Sequence, residues 1–500
     1  MTQTLTGENL RAAKAKKVAV VGAGVAGSTI ALRLAELGID TTLIEKGPSL
    51  VNGPPFCHLH AGGNLYREIS DQQCLTLLQQ SIDTTKVYAQ SINVRPTVLA
   101  VPTSDPSEPL DLLPRLEKLR AQYQVLVDQD ASNEVLGKPA DYFRLYNRAE
   151  IEAIGQRPLP EQAQCDEDWL VAFAKQVNLN TLKFPLVVVQ EYGLSAFRWA
   201  AIANLAIERL PSCHVQTLTS VVDISPSAAT GNGWQITTKP ASYNSAASTD
   251  QDVQVTEYDY VVNACGFKSG ELDDMIDAKR QRMVEFKASF VTHWPECQGL
   301  WPEVVFHGQR GTPQGMAQLT PYPGGYFQLH GMTQAITLFE DGLVTSCEQS
   351  AQPRLAPHFI KKIDNQWPDH LVKERTVSNI AHIAQFIPDF KSANTASQPL
   401  FGAQQIPGED PDLRAADVSF DQQGYARAEI VKASSALATA DAILKDLLDT
   451  GVITSEQAQH YLNEHYFPVT TQCNHDEITE LAEQLARDRN YPEALARNFS

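Results

Sequence analysis

Residues 17–45 constrain this chain more than any other segment. Lys17–Val21 reads KVAVV, a short apolar run suited to a buried parallel strand. It runs directly into Gly22-Ala23-Gly24-Val25-Ala26-Gly27, and an apolar-periodic helix follows from Val25 to about Leu37, stopped by Gly38. Thr41–Ile44 is a second, β-branched strand ending at Glu45. Each glycine has a job in such a unit. Gly22 permits the tight turn, Gly24 lets a pyrophosphate approach the backbone, and Gly27 lets helix and strands pack closely. The helix N-terminus presents free N–H groups and a positive dipole end to phosphates. Glu45, with Lys46 beside it, stands where a carboxylate accepts hydrogen bonds from ribose hydroxyls. The pattern specifies a dinucleotide site without choosing between FAD and NAD.

Five hundred residues exceed one simple core, which by the usual domain size of about 150 residues implies two or three domains or two interleaved ones. The formal net charge of -19 argues against binding nucleic acid, whose phosphates would be repelled. The N-terminal residues lack an apolar signal region, and no run of apolar residues is long enough for a membrane span. The eight cysteines include no CxxC pair, so reduced thiols and a cytoplasmic location are expected. Peripheral contact with a membrane surface or a quinone stays open, as does the oligomeric state.

Periodicity predicts helices over Asp71–Val94, Leu110–Leu126 and Ala149–Ile154, and one capped by Ser195 that runs through Ile207. Strands are expected at Phe184–Val189, His214–Ile224, Trp234–Thr238 and Tyr258–Ala264, the last breaking at Gly266. The polar stretch 239–256 reads as an exposed hairpin loop. Val284–Val291 and Met316–Met332 read as longer strands of a separate antiparallel sheet, the second interrupted by the turn cluster at 320–325. Tyr425 to about Leu447 reads as an alanine-rich helix, and the tail from Ile453 as a polar helical appendage.

Four separated segments together resemble the D-amino-acid oxidase and glycine oxidase superfamily. They are Val18–Glu45, His60-Ala61-Gly62-Gly63, Tyr258–Gly266 with Ser269 (YDYVVNACG), and Leu319–Gly331 (LTPYPGGYFQLHG). The resemblance implies an α/β fold: a glutathione-reductase-like FAD-binding Rossmann domain with an interleaved α+β substrate domain built on an antiparallel sheet. The implied division is 17–95, 190–270 and 395–450 for the FAD domain, 96–189 and 271–394 for the substrate domain, and 451–500 for a helical tail. It further implies FAD as cofactor, held by residues 22–27, Glu45, Lys46, the 60–63 turn, Val221, Ala264, Cys265, Gly266, Tyr425 and Ala426. In some relatives a turn similar to 60–63 carries a covalently attached flavin on its histidine; in others it only touches the flavin. A noncovalent neighbour is expected here, since the motif does not carry a bond by itself. Two departures stand out: the family's Asp-Gly in the fourth segment is Gly324-Gly325, and the terminal Gly-His-Gly is absent.

The implied reaction moves a hydride from a carbon bearing an amine or hydroxyl to the flavin of an FAD-dependent oxidoreductase. Such a site needs a cation for the substrate carboxylate, for which arginine's fork is best suited, and a group to handle a proton. Arg310, ahead of the Met316–Met332 strand pair, is the candidate clamp. Tyr326 and His330 share one strand face and are candidates to reach substrate, with Lys287 a weaker one. Ordinary solvated or sheet roles remain open for all of them. Cys57, His58 and His60 alternate without a fourth ligand, so no metal is expected. The leading function is dehydrogenation of a small amino acid or amine. The alternatives are a 2-hydroxy-acid dehydrogenase passing electrons to a quinone, and a dinucleotide-sensing binding protein.

Overall fold

The computed structural model describes residues 16–52, 57–59, 62–63, 69–227, 233–241, 253–364, 366–416, 418–456 and 467–499. Two large sheets organise them. The first has six strands in the order Val418–Gln422, Tyr425–Ala428, Tyr260–Asn263, Lys17–Val21, Asp40–Ile44, Cys213–Gln216. All its pairings are parallel except that of the outermost strand Val418–Gln422. One face packs on helices Val25–Glu36, Ala196–Glu208 and Ala436–Asp449, and the C-terminal helix His475–Asp488 stacks on Ala196–Glu208. The other face, through Ala19, Val21, Ile44 and Val261, packs on a three-stranded antiparallel meander, Thr219–Pro226, Trp234–Pro240 and Gln254–Tyr258.

The second sheet has ten strands. Its path runs Leu343–Thr345, Arg282–His293, Tyr326–Gly331, Ala317–Tyr322, Glu303–Phe306, Thr97–Ala100, Leu186–Val189, Phe143–Tyr146, with Asn394–Thr395 and Leu400–Pro407 also on Arg282–His293. Its outer face is apolar. Val98, Val188, Val304, Leu319, Phe327 and Leu329 meet Leu170, Phe173, Ile380 and Ile383 from covering helices, while Phe286, Ala288 and Phe290 meet Phe359 and Trp367. Its inner face joins the core of the first sheet through Leu99, Val187, Val189, Val291 and Val305. Among the described residues no helix is long and apolar enough to cross a membrane.

Several expectations need correction. The helix from Asp71 ends at Val87, because Tyr88 turns inward to stack on Trp199 with ring centroids 3.9 Å apart. Ile92–Asn93 then pairs with Gly193–Leu194. The expected strand His214–Ile224 is two strands in different sheets, broken at Leu218 with φ 50°. Tyr425–Ala428 is a strand, not the start of a helix. Its parallel pairing with Val261–Asn263 outweighs alanine's helical preference, and the helix begins only at Ala436. Leu400–Pro407, grouped by sequence with the dinucleotide unit, pairs along its length with Arg282–Ser289 of the second sheet. Most of the hairpin stretch 239–256 lies outside the described residues.

Candidate active site

The glycine loop sits at the carboxyl ends of the central parallel strands. Gly22 has φ 95°, and a Cβ there would come within 2.5 Å of the Ala264 carbonyl oxygen; one at Gly27 would lie 1.8 Å from the Gly22 oxygen. These two glycines are required by the protein's own packing. Gly24 differs: a Cβ there meets nothing within 4 Å, although the residue is the N-cap of helix Val25–Glu36 and no side chain caps that helix. The loop therefore keeps one open position directly over an uncapped helix end. The Glu45 carboxylate hangs over the same loop, accepting from the Ala23 N–H (2.7 Å) and the Gly47 N–H (2.6 Å). Lys46 is exposed beside it.

The other expected cofactor contacts gather around this loop to different degrees. Ala264, whose N–H donates to Val21 O (2.8 Å), and Cys265, whose sulfur packs 3.4 Å from the same oxygen, close one side, and Gly266 follows at φ 58° with open space around it. Val221 packs on the meander side with Ile44 and Cys265. Gly62 and Gly63 are buried. A Cβ on Gly63 would meet Val189 at 2.6 Å, and its N–H donates to Glu191 (2.5 Å). His60 and Ala61 lie outside the described residues. Tyr425 and Ala426 are buried in their strand, and the Tyr425 hydroxyl donates to Asp273 (2.9 Å). Beyond them, helix Ala436–Asp449 also starts without a side-chain cap, and the buried Ser434 hydroxyl just before it has no hydrogen-bond partner among the described residues.

The inner face of the second sheet holds the chemistry-bearing side chains. Strand alternation puts Tyr326, Gln328 and His330 on this face and Phe327 and Leu329 on the other. Register adds Gln318 opposite His330, Thr320 opposite Gln328 and Tyr322 opposite Tyr326. Glu285, Lys287 and Ser289 join from Arg282–His293, and Gln404 lies opposite Glu285. Buried polar groups in a sheet interior are costly unless hydrogen-bonded, and these are linked. Gln328 donates to Ser289 (2.9 Å) and accepts from Tyr322 (3.0 Å).

Two charged groups occupy this face. In one, Glu303 is ion-paired with Arg95 (2.7 Å) and His58 (3.1 Å) and accepts from Gln318 (2.5 Å). Burial pushes Glu303 up, but Arg95 and His58 outweigh it and hold the carboxyl at about 2. Burial pulls His58 down, but Glu303 and the Cys57 sulfur outweigh it and push the imidazole up to about 10. In the other group, Glu285 is ion-paired with both Lys287 (2.7 Å) and Arg310, and Lys287 donates to Gln404 (3.1 Å). Burial lowers Lys287 to about 8 despite Glu285. His330 is brought down to about 3 by burial and by the nearby cations His58 and Lys287, so its ring is neutral at working pH.

The structure thus brings Arg310, Lys287 and His330 onto one face. Tyr326 shares it but lies at the far end of its strand, packed 4.6 Å from the His293 ring. Sequence reasoning missed Arg95, Glu303, Gln318 and Gln328. Each takes its meaning from partners on other segments, as Glu303 of the strand Glu303–Phe306 meets Arg95 and His58, so no local pattern marks it.

Residues 17–144, spanning the glycine loop and the first strand of the second sheet, match the DAO family, described as FAD dependent oxidoreductase. Over those residues the chain is similar to this family. No curated protein matches it in sequence. Among solved structures it resembles glycine oxidase from Geobacillus kaustophilus, with TM-score 0.53 and 14% identity over 87% of this chain and 95% of that one. L-amino acid deaminase from Proteus vulgaris gives TM-score 0.54 and 13% identity over 90% and 99%. L-alpha-glycerophosphate oxidase from Mycoplasma pneumoniae, with FAD bound, gives 0.53 and 12% over 86% and 94%. At these identities the likeness is one of fold. The residues present fit the family's cofactor, FAD: open space at Gly24, an uncapped helix behind it and a carboxylate beside it match a diphosphate and a ribose.

Proposed function

We propose that this FAD-dependent oxidoreductase dehydrogenates a small amino acid or amine, bound between the flavin and the inner face of the ten-stranded sheet. The observation that carries the reading is that face: a row of buried polar and charged side chains in a sheet whose opposite face is packed mainly with apolar ones. In this reading the six-stranded unit is a discontinuous Rossmann-type FAD domain and the ten-stranded sheet belongs to an interleaved substrate domain. The N–H groups at 24–27 would hold the diphosphate, Glu45 the ribose hydroxyls and the Val221 backbone the adenine, with 264–266 closing the loop. Ser434 and the uncapped helix behind it would offer hydrogen-bond donors to the flavin. FAD when bound supplies the hydride acceptor.

The protein's own groups orient the substrate. Arg310 and Lys287 hold its carboxylate, the arginine from the partly exposed rim and the lysine from within. Neutral His330 accepts a hydrogen bond from the amine, and Gln328 fixes the neighbouring side chains. The same fold serves enzymes named for amino acids and for glycerophosphate, so a hydroxy acid is the second reading. The amine is preferred because uncharged acceptors, the His330 ring and the Gln328 and Gln404 carbonyl oxygens, line the face. Anaerobic mixing of the yellow holoprotein with amino acids, secondary amines and 2-hydroxy acids tests this. Bleaching by amino compounds alone is expected; bleaching by hydroxy acids alone would replace the amine reading with the second one.

A further inference from the structure

We infer that Arg489, in the C-terminal tail, is a positioning residue for FAD: it holds residues 49–51 in the one conformation that fixes the glycine loop beneath the diphosphate. The inference rests on the proposed role of residues 22–27 and adds to it a residue 438 positions beyond Val51 in sequence. Arg489 directly follows helix His475–Asp488, and its guanidinium carbon lies 5.8 Å from the centre of the Phe197 ring. The guanidinium donates to Val51 O (2.9 Å), Leu50 O (2.9 Å) and the Ser49 hydroxyl (3.3 Å). A planar fork of donors is suited to two successive carbonyls in a way that a lysine ammonium is not.

Val51 needs such a hold. It is buried, and its φ of 52° lies in the left-handed region, which a β-branched residue rarely adopts and keeps only where its surroundings impose it. That conformation has a use, because the Val51 N–H donates to Ala23 O (2.8 Å) in the glycine loop. The Ala23 N–H donates to Glu45 (2.7 Å). Both backbone groups of Ala23 are therefore tied, one to the ribose-side carboxylate and one to the strained turn, immediately before the open position at Gly24. The Ser49 hydroxyl closes the turn locally by donating to Asn52 (2.6 Å), a bond that spans Val51 without touching its backbone. The tail that delivers Arg489 is itself anchored. The Val469 and Thr470 N–H groups donate to Glu36 (2.8 and 2.9 Å), the last residue of helix Val25–Glu36, and the Tyr491 hydroxyl donates to Pro399 O (2.8 Å).

Titration of the flavin-free full chain with FAD, followed by flavin fluorescence, tests this together with amide exchange across residues 47–52. Arg489→Gln is expected to weaken FAD binding about tenfold or more and to quicken exchange in that segment. Arg489→Lys keeps the charge without the fork and is expected to lose about threefold or more, which keeps the test open should Arg489→Gln not fold. Tyr491→Phe removes a different bond of the same tail and is expected to keep native affinity. Adding Val51→Gly to Arg489→Gln is expected to recover about threefold or more, since glycine takes a left-handed φ unaided. Native FAD affinity in the Arg489 variants overturns the inference. So does an equal loss in Tyr491→Phe, or no recovery on adding Val51→Gly, because either result makes Arg489 only a part of tail docking. Failure of the native chain to bind FAD overturns instead the reading of the glycine loop.

Discussion

The loop at 22–27 presents backbone to its ligand, whereas the inner face of the ten-stranded sheet presents side chains drawn from strands up to 300 or so residues apart in sequence. The loop is made by one contiguous segment, and three glycines decide it. The sheet face is made by register: Glu285, Glu303, Gln318, Gln328 and Gln404 meet only because five strands align. One region binds a common cofactor part through groups every residue owns. In the proposed reading the other discriminates among substrates through groups only certain residues own. Errors in the first should abolish cofactor binding; errors in the second should change stability, pH response or selectivity while flavin stays bound.

The largest effect is expected at Gly27. Gly27→Val pushes a side chain into the Gly22 carbonyl, a backbone atom that cannot give way. Chemical denaturation should show a loss of about 3 kcal/mol or more, together with loss of flavin absorbance. Gly24→Val sharpens the contrast, because its Cβ enters open space. Stability of the flavin-free protein should change by about 0.5 kcal/mol at most, while flavin affinity falls about 100-fold or more.

Next in size is the buried ion group on the sheet. Glu303→Gln leaves Arg95 and His58 without their shared anion and is expected to cost about 3–5 kcal/mol in urea unfolding, with flavin retained under native conditions. The same group predicts a pH signature. His58 titrates at 6.5 when unfolded and about 10 when folded, so its contribution is complete below 6.5 and is lost as pH rises toward 10. Native stability minus that of His58→Gln should decline over that window by a few kcal/mol. A flat difference would mean that His58 carries no charge in the fold.

The smallest effect belongs to Glu45. Glu45→Gln should weaken FAD binding by about tenfold, near 1.4 kcal/mol, with the melting temperature of flavin-free protein little changed.

What could be read from residues alone follows the same division. The βαβ unit from Lys17 to Glu45 and the turn after Asn263 are local, and their boundaries in the fold lie within a residue or two of the expected ones. So are the Ser195 cap and the strand pair around Pro323–Gly325. Tyr425–Ala428 misled because its alanines favour a helix, and only its parallel partner Val261–Asn263 makes it a strand. Glu303 was invisible for another reason. A single acid in a short apolar strand acquires meaning only when Arg95, 208 residues earlier, is placed 2.7 Å away. Arg310 was legible as a cation near the strand pair, but its sharing of Glu285 with Lys287 depends on register that no local pattern carries.

The claim on which the account turns is that substrate lies against the inner face of the ten-stranded sheet. Gln328→Leu changes that face at its centre, and stopped-flow anaerobic reduction of bound flavin by the substrate found in the bleaching panel reads the result. The account predicts at least about a tenfold slower reduction or weaker substrate saturation, with flavin content and circular dichroism unchanged. Reduction at the native rate and native saturation would contradict it.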